Sequence, residues 1–142
     1  MRILVVNGPN LNLLGMREQE IYGEQTYRDL VCFIEEAAAK RGVQVDCFQS
    51  NHEGELVDTI QKAYRAYDGI IINPAAYTHT SIALLDAVKA VDIPAIEVHL
   101  SDVDHREEFR KISFIRAACI ATVMGKGFSG YVEAIDILNN RS

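Results

Sequence analysis

Five short apolar runs alternate with amphipathic helical patterns along this chain of 142 residues. The third run, Gly69 to Asn73, holds three consecutive isoleucines, which predicts a strand that is buried on both faces. Strands that alternate with helices are typical of a parallel sheet covered by helices on both sides. The strands are expected over residues 3–6, 43–49, 69–73, 94–99 and 118–124.

The helices are predicted from their apolar stripes and from the residues at their ends. Thr26 and Asp29 predict a capping box at the start of a helix that runs to Arg41. The next helix is predicted over 53–66, and its apolar stripe assigns Tyr64 to the inward face. The other helices are predicted over 81–91, over 106–110 and after residue 127.

The order of the strands follows from their connections. Right-handed crossovers between five strands favour a flavodoxin-like α/β fold with a parallel sheet of order 2-1-3-4-5. Residues 1–142 are expected to form a single domain. In such folds ligands bind beyond the carboxyl ends of the strands, near the switch point between strands 1 and 3. Three strand ends carry polar residues at that edge: Asn7 to Asn10, Asn73 to Ser81, and Glu97 to Ser101.

Charge and composition narrow the class of protein. The net charge of -6 predicts no general attraction to nucleic acid or to anionic membranes. No apolar run approaches the length of a membrane span, and no signal-peptide pattern opens the chain. The three cysteines, Cys32, Cys47 and Cys119, are widely separated, so we expect buried reduced thiols and a cytoplasmic location.

Glu97 and His99 form the most specific local pattern. Residues two apart in a strand point to the same face, so the two side chains are expected to meet. A carboxylate beside an imidazole fixes its tautomer and favours its protonated form, which suits a general acid. An ordinary ion pair at a strand end remains the alternative. Of the other histidines, His52 is assigned to a helix start and His105 to a solvated segment.

The connection between the first strand and the first helix is unusually long, since most such connections have about two to six residues. Gly15 and Gly23 enclose its second half, which predicts a mobile flap that brings Arg17 and Tyr22 onto a bound ligand. A free tyrosine has a pKa of about 10, and a nearby arginine lowers it by stabilising the phenolate. The pair therefore suggests a tyrosinate base that faces the acid His99.

Several other kinds of site are disfavoured by spacing. The four histidines show no H-x-x-x-H pattern, which disfavours a zinc site. Neither a nucleophile elbow nor a phosphate-binding glycine loop is present. Two binding modules remain as alternatives: a flavodoxin-like protein that holds FMN or another small ligand, and a phosphoacceptor receiver domain, which the lack of an acidic cluster after strand 1 disfavours.

Five motifs stand in order along essentially the whole chain. They are N-G-P-N-L-N-L-L-G at 7–15, R-x-x-x-x-Y-G at 17–23, N-P-A-A-Y-T-H-T-S at 73–81, E-V-H-L-S at 97–101 and R-E-E-F-R at 106–110. Together they resemble the motifs of type II 3-dehydroquinate dehydratase. The family implies a flavodoxin-like fold, no cofactor, a homododecamer built from trimers, and dehydration of 3-dehydroquinate to 3-dehydroshikimate.

The resemblance also implies a role for individual residues. Tyr22 would be the base, and Arg17 would lower its pKa. Asn10 would hold a water that stabilises the enolate, and His99, oriented by Glu97, would protonate the departing hydroxyl. Substrate would be bound by Asn73, His79, Ser101 with the amide of Leu100, and Arg110, while Asp86 would act in the neighbouring subunit's site.

The chain departs from the pattern of the family in two places. Asp102 stands where asparagine is common, and Lys111-Ile112 replaces a frequent His-His pair. Neither change falls on a residue with an implied catalytic role, so the expected effect is confined to the rim of the pocket.

Overall fold

A computed structural model describes residues 1–16 and 23–141, apart from the side chain of Asp104. Its sheet has five parallel strands in the order β2-β1-β3-β4-β5, which confirms the flavodoxin-like topology expected from the sequence. The strands are β1 (Arg2–Asn7), β2 (Gln44–Gln49), β3 (Gly69–Asn73), β4 (Ala95–His99) and β5 (Ala121–Met124).

Within the described residues, four α-helices cover the sheet: α1 (Tyr27–Lys40), α2 (Glu53–Gln61), α3 (Ile82–Val91) and α4 (Ser129–Asn139). The predicted capping box of α1 is present. The Asp29 amide donates to Thr26 Oγ1 at 3.1 Å, and the Thr26 amide donates to Asp29 Oδ2 at 2.9 Å. These two bonds satisfy backbone donors that have no partner within the helix, so the helix begins where the sequence predicts.

Two hydrophobic cores lie on opposite faces of the sheet, and β1 contributes to both. Ile3 and Val5 are buried on the face covered by α1 and α4, whereas Leu4 and Val6 are buried on the face covered by α2 and α3. This division follows from the two-residue period of a strand. Burial on both faces also explains why β1 and β3 contain continuous apolar runs.

Two predicted boundaries differ from the structure by three residues or more. The helix expected over 53–66 ends at Gln61, and Arg65 then adopts a left-handed φ of 60° as the chain turns toward β3. Tyr64 consequently has 56% of its surface exposed, so its assignment to the inward face is wrong. The strand expected from residue 118 begins at Ala121, because Ile115–Ala118 forms a 3₁₀ helix.

Short 3₁₀ helices occupy segments for which the sequence predicted other structure. The helical turn expected over 106–110 lies at Glu108–Lys111, and Ala75–His79 is a 3₁₀ helix within the predicted loop. Val103–His105 forms another. All of these follow the carboxyl ends of β3 and β4, so they surround the edge of the sheet where ligands are expected.

The three cysteines are free, but the prediction that they are all buried is wrong for Cys32, which is exposed. Cys47 and Cys119 are half-buried, and burial raises the pKa of each thiol to about 12. Within residues 1–16 and 23–141, no helix is long and apolar enough to cross a membrane.

Candidate active site

A pocket lies at the carboxyl ends of β1, β3 and β4, where the sheet topology predicts a ligand site. Arg106 and Arg110 both line it, from the segment that follows β4. Asp86 is exposed on α3 and is not among its lining residues. Arg17 and Tyr22 lie outside the described residues. The other site residues implied by the sequence that line the pocket are Asn10, Asn73, His79, His99, Leu100 and Ser101.

The ends of β1 and β3 approach each other so closely that Gly8 has no room for a side chain. Its amide donates to the Asn73 carbonyl at 2.8 Å, and a Cβ atom on Gly8 would lie 2.4 Å from the Pro74 carbonyl oxygen. Asn7 and Asn73 are register partners in the sheet. This contact brings the first loop onto the third, so both can line one pocket.

Asn10 adopts a left-handed backbone conformation, with φ of 70°. Its amide donates to Asn51 Oδ1 at 3.0 Å, and the same oxygen accepts from Gln49 Nε2 at 3.1 Å. Asparagine tolerates this conformation better than most residues. The sequence analysis did not predict this contact, which joins the end of β2 to the Asn10 loop.

The Asn73 side chain is buried, and both ends of its amide group are hydrogen bonded. Oδ1 accepts from the Ala75 amide at 3.1 Å, and Nδ2 donates to the Tyr131 hydroxyl at 2.9 Å. The Tyr131 hydroxyl in turn donates to Asn7 Oδ1 at 2.7 Å, and burial raises the pKa of Tyr131 well above its ordinary value. An amide nitrogen has two hydrogens, so the orientation of Asn73 is set while one donor remains.

Glu97 and His99 form the buried pair that their spacing predicts. His99 Nε2 lies 2.6 Å from Glu97 Oε2, and the two side chains are 4% and 0% exposed. The hydroxyl groups of Thr78 and Ser113 lie 2.9 and 2.7 Å from the same carboxylate oxygen. This side of the carboxylate therefore orients the imidazole, whose other ring nitrogen is left for the pocket.

The second oxygen of Glu97 has different partners. Oε1 accepts one hydrogen bond from Arg116 Nε at 3.1 Å and another from Thr122 Oγ1 at 3.1 Å. Burial raises the pKa of the Glu97 carboxyl, but the hydrogen bond and charge of His99, with the contacts from Ser113 and Arg116, outweigh it and lower the pKa to about 2. The carboxylate is thus ionised although it is buried.

His79 and Arg110 each make a hydrogen bond to a residue of the segment that follows β4. His79 Nδ1 donates to the Ile112 carbonyl at 2.6 Å, so Nδ1 carries the hydrogen and Nε2 is an acceptor. Burial lowers the pKa of His79, and the positive charges of His99 and Arg110 add to this effect. Arg110 Nε donates to Glu107 Oε2 at 2.5 Å, which orients the guanidinium at the pocket.

The departures from the family pattern, Asp102 and Lys111-Ile112, are not among the described residues that line the pocket. The Ile112 contact to His79 uses its carbonyl group, so it does not depend on the side chain at that position. Asp102 Oδ2 lies 3.4 Å from Nε2 of His105, which is 77% exposed. Among the described side chains, no group of three or more His, Cys, Asp or Glu is arranged to hold a metal ion.

Comparison with known proteins assigns the chain to a family. The family model described as Dehydroquinase class II matches residues 1–139. The 3-dehydroquinate dehydratase of Clostridium acetobutylicum is 54% identical over 140 residues, covering 99% of this chain and 97% of that protein. That of Corynebacterium glutamicum strain R is 51% identical over 139 residues, covering 98% and 96%.

Solved structures agree with this assignment. The type II dehydroquinase from Butyrivibrio crossotus matches with a TM-score of 0.96 and 52% identity, covering 98% of this chain and 97% of that one. The type II dehydroquinase from Propionibacterium acnes gives a TM-score of 0.94 and 40% identity, covering 98% and 96%. The chain, which was compared over nearly its whole length, belongs to the class II dehydroquinase family.

Proposed function

We propose that this chain is a 3-dehydroquinate dehydratase, a hydro-lyase that converts 3-dehydroquinate to 3-dehydroshikimate through an enolate. The observation that carries the proposal is the buried Glu97–His99 pair, 2.6 Å apart, at a pocket with the residues that the family motifs imply. A β-hydroxy ketone loses water readily once its enolate forms. The site therefore needs a base, a group that stabilises the enolate oxygen, and an acid.

His99 is the proposed acid. As the bond between carbon and the leaving hydroxyl breaks, the protonated imidazole transfers its hydrogen to the departing oxygen, which leaves as water. Glu97 accepts a hydrogen bond from His99 Nε2, so the hydrogen that is transferred comes from the other nitrogen of the imidazole, Nδ1. A positioned acid of this kind contributes about 10²- to 10⁴-fold in rate.

Tyr22 is the proposed base, and Arg17 the residue that stabilises its tyrosinate form. Both are assigned from the R-x-x-x-x-Y-G motif, since they lie outside the described residues. Tyr22 removes the proton from the carbon next to the ketone, and the electrons pass to the carbonyl oxygen. Asn10 holds a water at that oxygen, and its place in the lining of the pocket supports this role.

The remaining polar groups of the pocket bind the carboxylate and hydroxyls of the substrate. Arg110 suits the carboxylate because a guanidinium can bind it with two parallel hydrogen bonds. His79 offers an acceptor at Nε2 and Asn73 a donor at Nδ2, and Ser101 with the Leu100 amide completes the set.

Asp86 is proposed to act in the site of a neighbouring subunit, within a homododecamer built from trimers. Its exposed position on α3, outside the lining of its own pocket, supports this assignment. No cofactor takes part in the proposed reaction, and the proposed location is the cytoplasm.

The direct test is to add 3-dehydroquinate to the purified protein and to follow the absorbance of the conjugated enone product. A rise in absorbance is expected, and its absence would overturn the function. Borohydride with substrate distinguishes this mechanism from one that uses a lysine Schiff base. Permanent inactivation by borohydride would contradict the acid–base mechanism, and full retention of activity is expected.

A further inference from the structure

Arg116 makes an ion pair with the carboxylate that orients the proposed acid, but it does not line the pocket. It lies in the 3₁₀ helix Ile115–Ala118, outside the family motifs that indicate the site. Its Nε lies 3.1 Å from Oε1 of Glu97, whereas His99 contacts Oε2. The two cations therefore approach opposite oxygens of one buried carboxylate.

The two cations differ in how permanent their charges are. An arginine stays protonated under all physiological conditions, whereas a histidine that acts as an acid loses its proton in each turnover. When His99 has given its proton to the leaving hydroxyl, it no longer compensates the charge of Glu97. A buried carboxylate without a counter-charge is costly, and protonation would relieve that cost.

We propose that Arg116 is a positioning residue that keeps Glu97 ionised throughout the catalytic cycle, so that the proton of His99 goes to the leaving hydroxyl. This inference rests on the proposed dehydratase function. Thr122 on β5 is the register partner of Glu97, and its hydroxyl donates a hydrogen bond to the same oxygen, Oε1, at 3.1 Å. The Nη2 atom of Arg116 is buried without a hydrogen-bond partner among the described residues, so the contact that the guanidinium makes with Glu97 is through Nε.

The other titratable groups that face Glu97 do not supply a permanent positive charge. Burial lowers the pKa of His79, which favours its neutral form. Burial raises the pKa of the Cys119 thiol to about 12, so the thiol is uncharged at neutral pH. His99 gives up its proton in the proposed chemistry. Among these groups, Arg116 is the one whose charge persists.

The test compares Arg116→Gln, which removes the charge, with Arg116→Lys, which retains it. The steady-state kinetics of dehydration of 3-dehydroquinate are measured from low to neutral pH. Arg141→Gln is the matched control, because Arg141 is exposed near the opposite end of the sheet, beside Met1. Melting temperatures of all variants report whether each protein is folded.

For Arg116→Gln we expect the loss of kcat to be largest at low pH, where a rise of one unit in the pKa of Glu97 lowers its ionised fraction by up to about tenfold. The acid limb of the kcat profile should move upward by about one pH unit, because Glu97 becomes protonated at a higher pH. KM should change less than kcat, since Arg116 does not line the pocket. Arg116→Lys should restore most of the wild-type profile, and Arg141→Gln should match the wild type.

A purely structural role predicts a different pattern. Equal losses in the Gln and Lys variants, with the acid limb unmoved, would overturn the proposal, as would a wild-type profile in Arg116→Gln. If Arg116→Gln does not fold, Arg116→Ala takes its place as the uncharged variant, and an unmoved acid limb in that protein would also overturn the proposal. An inactive wild-type protein would instead refute the proposed function itself.

Discussion

The hydroxyl oxygen of Tyr131 accepts a hydrogen bond from Nδ2 of Asn73 at 2.9 Å, inside the protein where neither side chain is more than 3% exposed. Tyr131 belongs to α4, and Asn73 ends β3, so this bond joins the last helix to the edge of the sheet that forms the pocket. The same hydroxyl donates to Asn7 at the end of β1. A helix on one face of the sheet thus supports two neighbouring strand ends.

Replacing Tyr131 with phenylalanine should destabilise the protein by about 1–3 kcal/mol, because Asn7 and Asn73 would keep buried polar atoms without that partner. Denaturant unfolding measures the change. Tyr64→Phe is the control: Tyr64 is 56% exposed, and a change within about 0.5 kcal/mol is expected there. Equal effects of the two substitutions would contradict a supporting role for the buried hydroxyl.

Gly8→Ala should destabilise the protein, by about 1–3 kcal/mol, because the new Cβ atom overlaps backbone atoms that cannot move independently. The new Cβ atom would lie only 2.4 Å from the Pro74 carbonyl oxygen. Activity should fall as well, since Gly8 leads into the Asn10 loop. Gly54→Ala in α2 is the matched control, with no atom within 4 Å of its Cβ position.

The control substitution should not lower the stability of the protein. Alanine is a better helix former than glycine, so Gly54→Ala should leave stability unchanged or raise it by up to about 1 kcal/mol. Thermal unfolding of both variants, measured side by side, checks the pair. A stable Gly8→Ala protein would mean that the ends of β1 and β3 can separate without cost.

Tyr22→Phe should lower kcat by at least about 10²- to 10⁴-fold, because it removes the hydroxyl that the proposal assigns as the base. Binding of a substrate analogue should persist, since the binding groups are on other segments. Initial rates and calorimetric titration measure the two quantities separately. A variant with near-normal turnover would exclude Tyr22 from the role of base.

His99→Ala should lower kcat by a similar factor, about 10²- to 10⁴-fold, because the leaving hydroxyl would depart without its acid. His105→Ala is the control, since His105 is 77% exposed. The dehydration assay should show wild-type kinetics for the control. If His99→Ala were equally active, the Glu97–His99 pair would have to be assigned a structural role instead.

The stability of the protein should depend on pH through Glu97. The pKa of its carboxyl is lowered from 4.5 to about 2 in the folded protein. A depressed pKa adds stability that is present above the unfolded value and is lost as pH falls through the folded one. We therefore expect a loss of up to roughly 3 kcal/mol as pH falls from about 4.5 to about 2.

Glu97→Gln isolates this contribution. The variant should be less stable than the wild type at neutral pH, because Arg116 would lose its counter-charge. Its stability should then fall less steeply below pH 4.5 than that of the wild type. Glu36→Gln, an exposed change on α1, should keep the wild-type pH dependence. Identical slopes in the wild type and Glu97→Gln would refute an ionised Glu97.

Local patterns predicted the elements of the fold well. The isoleucine run at β3 and the capping box at Thr26 are properties of neighbouring residues, and both appear in the structure as expected. Tyr64 was misassigned because the helical stripe continues past the point where the chain turns toward β3. A turn of that kind is set by the distance to the next strand, which a periodic pattern does not contain.

The sequence predicted the contacts of the candidate site that lie within one element, but not those between elements. Glu97 and His99 share a strand, so their contact follows from its two-residue period. Asn51 and Arg116 were missed because their partners, Asn10 and Glu97, lie on other elements. No spacing along the chain relates such pairs.

The sequence by itself determined the alternation of strands and helices, the edge of the sheet that forms the pocket, and the pairing of Glu97 with His99. Only the tertiary structure decided that Glu97 is ionised while buried. Its partners come from β4, β5, two 3₁₀ helices and the connection that contains Ser113, and they meet at one carboxylate only when the sheet is assembled. The charge state of a buried group depends on its surroundings in three dimensions, and those surroundings are made by residues far apart in the chain.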